Sequence, residues 1–90
     1  GIPETNISKS LFNIYYGFGS VNIQTIADGW DGIFGSISIF DMTGRKVNEL
    51  RNAEFVKNSI ISLPTPDNKG IFIVELKSGM KRYTEKVVIK

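Results

Sequence analysis

The chain has 90 residues, room for one domain. Apolar residues make up 41% and charged residues 22%, an ordinary globular balance, and the formal charge of +2 is too small to argue for nucleic acid or a membrane surface. There is no histidine and no cysteine, which excludes disulfides, Cys/His zinc sites, cysteine nucleophiles and histidine-based triads together.

Residues 1–10 are polar and read as a linker or frayed terminus, leaving 11–90 as the domain. Leu11 to Tyr16, aromatic and apolar, predicts a first strand lying at a sheet edge. From Val21 to Ile26, Val21 and Ile23 take one face and Asn22 and Gln24 the other, the alternation of a half-buried strand. Ile33, Gly35, Ile37 and Ile39 share a face opposite Ser36 and Ser38. A weaker strand runs from Arg45 to Leu50, carried by Val47, and a short isoleucine-rich one from Ser59 to Leu63. Ile71 to Leu76 is almost continuously apolar, which predicts a strand covered on both faces. Arg82 to Lys90 alternates again, with Tyr83, Glu85, Val87 and Ile89 against Arg82, Thr84, Lys86, Val88 and Lys90.

Seven strands at intervals of roughly 8–12 residues predict an all-β antiparallel sandwich. No helical period of useful length, internal repeat or second domain is visible. The turns are chemically legible. In Asp41-Met42-Thr43-Gly44 the Asp side chain caps the turn and Gly44 takes the left-handed conformation of a type I turn with a bulge. Lys77-Ser78-Gly79-Met80 reads in the same style. Pro64 to Gly70 is a longer loop whose prolines cannot donate to a ladder. No apolar run approaches the ~20 residues that span a bilayer. No amino-terminal signal is visible, and a start at Gly1-Ile2-Pro3 suggests a piece of a longer chain.

Few residues point to chemistry. Asp28-Gly29-Trp30-Asp31-Gly32 sets two carboxylates three residues apart in a glycine-rich turn, as a calcium loop would. The spacing does not complete such a loop, so a turn with Asp and Gly chosen for backbone geometry is favoured and no metal or other cofactor is expected. Trp30, Tyr15, Tyr16 and Phe18 suggest an aromatic platform for a sugar ring, provided two rings lie exposed side by side. Such residues more often cover the open end of a sandwich core. A catalytic base would have to be Asp, Glu, Lys or Tyr, and a core this small leaves little volume for a deep pocket, so no enzyme is expected.

Charge is unevenly placed. Up to residue 44, Lys9 stands against Glu4, Asp28, Asp31 and Asp41. From 69 onward, Lys69, Lys77, Lys81, Arg82, Lys86 and Lys90 stand against Glu75 and Glu85 alone. Arg82, Lys86 and Lys90 share one face of the last strand. They either blunt an edge against aggregation or form a docking face for an acidic partner.

Two blocks resemble a known family. Ser36-Ile37-Ser38-Ile39-Phe40-Asp41-Met42-Thr43-Gly44-Arg45-Lys46-Val47 is similar to the hairpin of the type A carboxyl-terminal sorting domains of the type IX secretion system. Leu63-Pro64, Lys69 to Leu76, Ser78-Gly79 and Tyr83-Thr84-Glu85-Lys86-Val87-Val88-Ile89-Lys90 follow that family's closing motif and end, like it, on a lysine. One departure is that Tyr15 to Ser20 stands where the family carries a Pro-Asn-Pro-like element.

The resemblance implies a seven-stranded immunoglobulin-like sandwich without catalytic role, attached to a cargo or to a component of the system. That protein would be secreted or held at the cell surface, having passed the periplasm and the outer membrane. The implied partners are the outer-membrane translocon and a sortase that cuts near residues 1–10 and joins cargo to anionic lipopolysaccharide. On the resemblance, recognition falls to Gly44, Arg45, Gly70, Gly79, Tyr83, Thr84, Lys86, Val87, Val88, Ile89 and Lys90. The terminal strand would be read by strand addition, and the same edge offers a route to a homodimer. The alternatives are a carbohydrate-binding module using Trp30 with Tyr15 or Tyr16, and a purely structural end-module of a surface protein.

Overall fold

Alternation in the sequence becomes alternation in burial. The computed structural model describes residues 11–65 and 69–89, so the expectations for residues 1–10 and Lys90, and part of the Pro64–Gly70 loop, lie outside the described residues. The strands are β1 (Phe12–Gly17), β2 (Ser20–Thr25), β3 (Ile33–Phe40), β4 (Lys46–Phe55), β5 (Ile60–Pro64), β6 (Gly70–Ser78) and β7 (Lys81–Ile89). All strand pairings are antiparallel. One sheet has the order β1-β2-β5 and the other β4-β3-β6-β7. This is the immunoglobulin-like arrangement that the resemblance implies, with β1, β2 and β5 in the places of strands A, B and E, and β3, β6 and β7 in those of C, F and G.

Every second residue enters the core: Phe12 and Ile14, Val21 and Ile23, Ile37 and Ile39, then Phe72, Val74 and Leu76, then Val87 and Ile89. Each such side chain contributes about 1.5–3 kcal/mol when fully buried. One end is closed by aromatics. Trp30 sits on a 3-10 turn, Asp28–Trp30, with its ring centroid 5.0 Å from Phe12 and 5.3 Å from Phe55, both edge-on. Edge-on geometry sets the positive rim of one ring against the negative face of another, adding about 0.5–1.5 kcal/mol per pair to the area term. Asp28 and Asp31 hold this turn to the link between β4 and β5. Asp28 Oδ1 pairs with Lys57 Nζ at 2.5 Å, and Asp31 Oδ1 accepts the Lys57 backbone N–H at 2.9 Å. Lys81 Nζ donates to the Gly29 carbonyl at 3.0 Å and lies 5.6 Å from the Trp30 ring.

Three expectations are corrected. First, β4 does not stop at Leu50 but runs to Phe55 and buries Ala53 and Phe55. Between Gly35 and Ile37 on β3, the partner steps from Ala53 to Leu50, so β4 carries one extra residue there. This bulge, with Asn52 at φ 59°, shifts the alternation and hides the strand's second half from a period-2 reading. Second, β6 is covered on one face only. Ile71 is 41% exposed while Phe72, Val74 and Leu76 are buried, so the apolar run reflects an open outer face. Third, the last turn is tighter than the Asp41–Gly44 turn. Lys77 and Ser78 stay in β6, paired with Arg82 and Lys81, and only Gly79 and Met80 link the strands.

Candidate functional site

β6 and β7 pair along their whole length, from Gly70 opposite Ile89 to Ser78 opposite Lys81. A two-residue link of this kind needs positive φ at its first position, which Gly79 supplies at 57° without Cβ strain. β7 is an edge strand, bonded to β6 alone. Its inward residues are structural. Val87 and Ile89 are buried, and Tyr83 packs half-buried with its ring 5.1 Å from Phe12. The Tyr83 hydroxyl donates to Glu85 Oε1 at 2.5 Å. Burial, and after it the neighbouring carboxylate, pushes the phenol up to about 12.

The outward residues of β7 are Arg82, Thr84, Lys86 and Val88, all exposed. Arg82 Nε lies 3.5 Å from Glu75 Oε2, whereas Lys86 makes no ion pair among the described residues. Register sets them into rows across the four-stranded sheet. One row reads Lys46, Phe40, Ile73, Lys86, with Lys46 Nζ 5.9 Å from the Phe40 ring. The next reads Glu49, Ser38, Glu75, Thr84. Glu49 accepts from Lys46 at 3.0 Å and Arg51 at 3.3 Å, and the Lys46 hydrogen bond above all holds its carboxyl below the usual range. The carboxylates of this face are thus matched locally, which leaves Lys86 as surplus positive charge beside exposed Val88 and Ile71.

The turn between β3 and β4 is held by Asp41. Its Oδ1 accepts from the Thr43 hydroxyl at 2.6 Å, and from the backbone N–H groups of Thr43 and Arg45 at 3.0 Å each. The Thr43 hydroxyl bond leads in drawing the carboxyl below its ordinary value. Gly44 takes φ 87°, as expected, and Arg45 Nε returns to Asp41 Oδ2 at 3.2 Å. Since Phe40 pairs with Ile73, this turn lies at the Gly70 and Ile89 end of the hairpin. The structure therefore brings Gly44, Arg45, Gly70, Val88 and Ile89 to one end. It sets Gly79 and Tyr83 at the other, with Thr84 and Lys86 between.

The family described as secretion system C-terminal sorting domain matches residues 8–90. The chain belongs to that family. The comparison with curated proteins gave no match. The sorting domain is thus a signal of the type IX secretion system, which implies export to the cell surface or the medium and interaction with that system's machinery; its family is not an enzyme family. The sugar-platform alternative fails at Trp30, which is only 4% exposed within the core. Tyr15 and Tyr16 are neighbours on β1 and turn to opposite faces of the sheet. What the sequence reading missed is the cross-strand row through Phe40 and Ile73, because register between distant strands has no signal in one segment alone.

Proposed function

We propose that the outer-membrane translocon reads this domain through β7, by strand addition at its edge with Lys86 and Val88 as specificity contacts. The observation that carries the reading is the full-length pairing of the closing hairpin with β7 at the sheet edge. In strand addition the backbone gives affinity and the outward side chains give selectivity. Val87 and Ile89 then serve as the anchors that hold the strand in place, and Gly44, Gly70 and Gly79 fix its surroundings. Removal by a sortase with a cut near residues 1–10, and attachment of cargo to anionic lipopolysaccharide, belong to the same reading. A homodimer would use the same edge and compete with the translocon.

The test is an export assay in a host with a working type IX system. Residues 1–90 follow a fluorescent reporter that carries its own periplasmic signal. Deleting Arg82–Lys90 would remove Val87 and Ile89 from the core and so test folding. The better variant is Lys86→Glu with Lys90→Glu. Lys86 is exposed, and a charge change at such a site shifts stability by about 0.5 kcal/mol or less. The parent fusion reaches the surface, while the double variant stays folded in the periplasm. Normal export of a folded double variant would refute the reading.

A further inference from the structure

The β1–β2 hairpin carries an outlier. Gly17 pairs with Ser20, so Phe18 and Gly19 alone form the turn, with φ of 56° and 75°. Positive φ at both positions is the type I′ geometry, in which Asn-Gly is the favoured pair. Gly19 fits without cost. A bulky side chain at Phe18 does not, because its Cβ crowds the backbone in the left-handed region. Phe18 is also fully exposed, and no contact among the described residues repays that strain. Met80, equally exposed at the tip of the β6–β7 hairpin, makes a useful contrast: it follows Gly79 and carries no positive φ.

The strained turn is held from several sides. The Thr65 N–H donates to the Gly19 carbonyl at 3.2 Å. Asn22 Nδ2 lies 3.3 Å from the carbonyls of both Gly17 and Ser20, and Ser62 Oγ donates to Asn22 Oδ1 at 2.6 Å. A residue that is strained, exposed and rigidly presented is one whose side chain works on something outside the fold. We propose that Phe18 is an anchor that inserts into an apolar pocket of a protein of the export machinery, a second contact distinct from β7. The inference rests on the sorting reading above. The hairpin from Phe12 to Thr25 contains no charged residue, and that decides the occupant. Loops that seat in anionic lipid surround their aromatics with lysine and arginine, whereas a lone ring on a neutral, rigid tip suits a desolvated protein pocket.

The test is Phe18→Asn, with Phe18→Trp beside it. Asn is at home in the left-handed region, so the variant should melt about 4 °C higher than the parent. In the same export assay its initial rate should fall about tenfold or more, the loss of an interface anchor. Phe18→Trp should keep most of the rate. A more stable protein that exports less well is an outcome that no folding defect produces. If Phe18→Asn exports like the parent, the anchor is refuted while the sorting reading stands. If the folded parent is not exported either, both fall together. Phe18-dependent binding of the purified domain to vesicles of anionic phospholipid, or a dimer lost in Phe18→Asn, would replace the pocket with lipid or a second copy and overturn the proposal.

Discussion

Gly35 is the position where the packing can be tested most sharply. It lies in β3 just before the bulge, and its φ is not in the left-handed region, so the backbone there does not call for glycine. Space does. A Cβ built on Gly35 would stand 2.1 Å from the Lys77 carbonyl oxygen, 3.0 Å from Ser78 Cβ and 3.1 Å from the Lys77 carbonyl carbon. The first distance must open by about an ångström, and the atom that has to move is backbone of β6 beside the turn of the closing hairpin. Overpacking of this kind costs about 1–3 kcal/mol. The same shift would stretch the hydrogen bond from Ser78 Oγ to the Phe34 carbonyl, now 2.6 Å, at roughly 1 kcal/mol more. Gly35→Ala should therefore lose about 2–4 kcal/mol, a large share of the ~5–13 kcal/mol expected of a domain this size. Urea unfolding followed by Trp30 fluorescence reads this directly, since Trp30 is the single tryptophan and is buried. Ser78→Ala supplies the hydrogen-bond share alone, at about 1 kcal/mol. A Gly35→Ala variant within about 0.5 kcal/mol of the parent would show that β3 and β6 do not approach so closely, and would refute the reasoning.

Two further outcomes follow from the aromatic end of the core. Phe55→Ala should cost about 3–5 kcal/mol, because it empties the space beside the Phe12 and Trp30 rings; a loss under about 1 kcal/mol in the same urea titration would contradict a buried Phe55. Tyr83 should ionise at about 12, read as the phenolate absorbance that a Tyr83→Phe variant lacks. The fold favours the protonated phenol, so this contribution to stability is complete below pH 10 and is lost as pH rises toward about 12. Glu85→Gln removes the carboxylate but not the burial, so the ionisation moves down without returning to 10; no movement would remove Glu85 as a cause.

How much of this was legible in the residues depends on the range of the interaction. All seven strands announced themselves, because alternation is a local property that the pleat converts directly into burial. Asp41 as the turn's cap was legible too, since the groups it binds lie within four residues of it. Ala53 and Phe55 were not, because the bulge opposite Ser36 inserts a residue and breaks the count. The open face of β6 was misread for a different reason. A continuous apolar run reports low polarity, and nothing in it says whether a second layer covers the sheet. Gly35 read as one more small residue in an alternating strand, although what requires it is a carbonyl more than forty positions away.

The closing motif divides along the same line, and that division governs how its residues can be tested. In β7, Val87 and Ile89 face the core while Lys86 and Val88 face outward, so adjacent positions in one motif do opposite work. A change at Val87 removes the edge strand's anchor, and export then fails because the surface to be read is no longer there. A change at Lys86 leaves the anchor in place and alters only what is displayed. The resemblance to the family marks both kinds equally, because a signal that must be folded to be recognised constrains its core as tightly as its face. Loss of export therefore assigns a recognition role only when the variant's stability is measured beside it. On that criterion Lys86 and Phe18 are the informative positions, since substitution at either leaves the core of the sandwich intact.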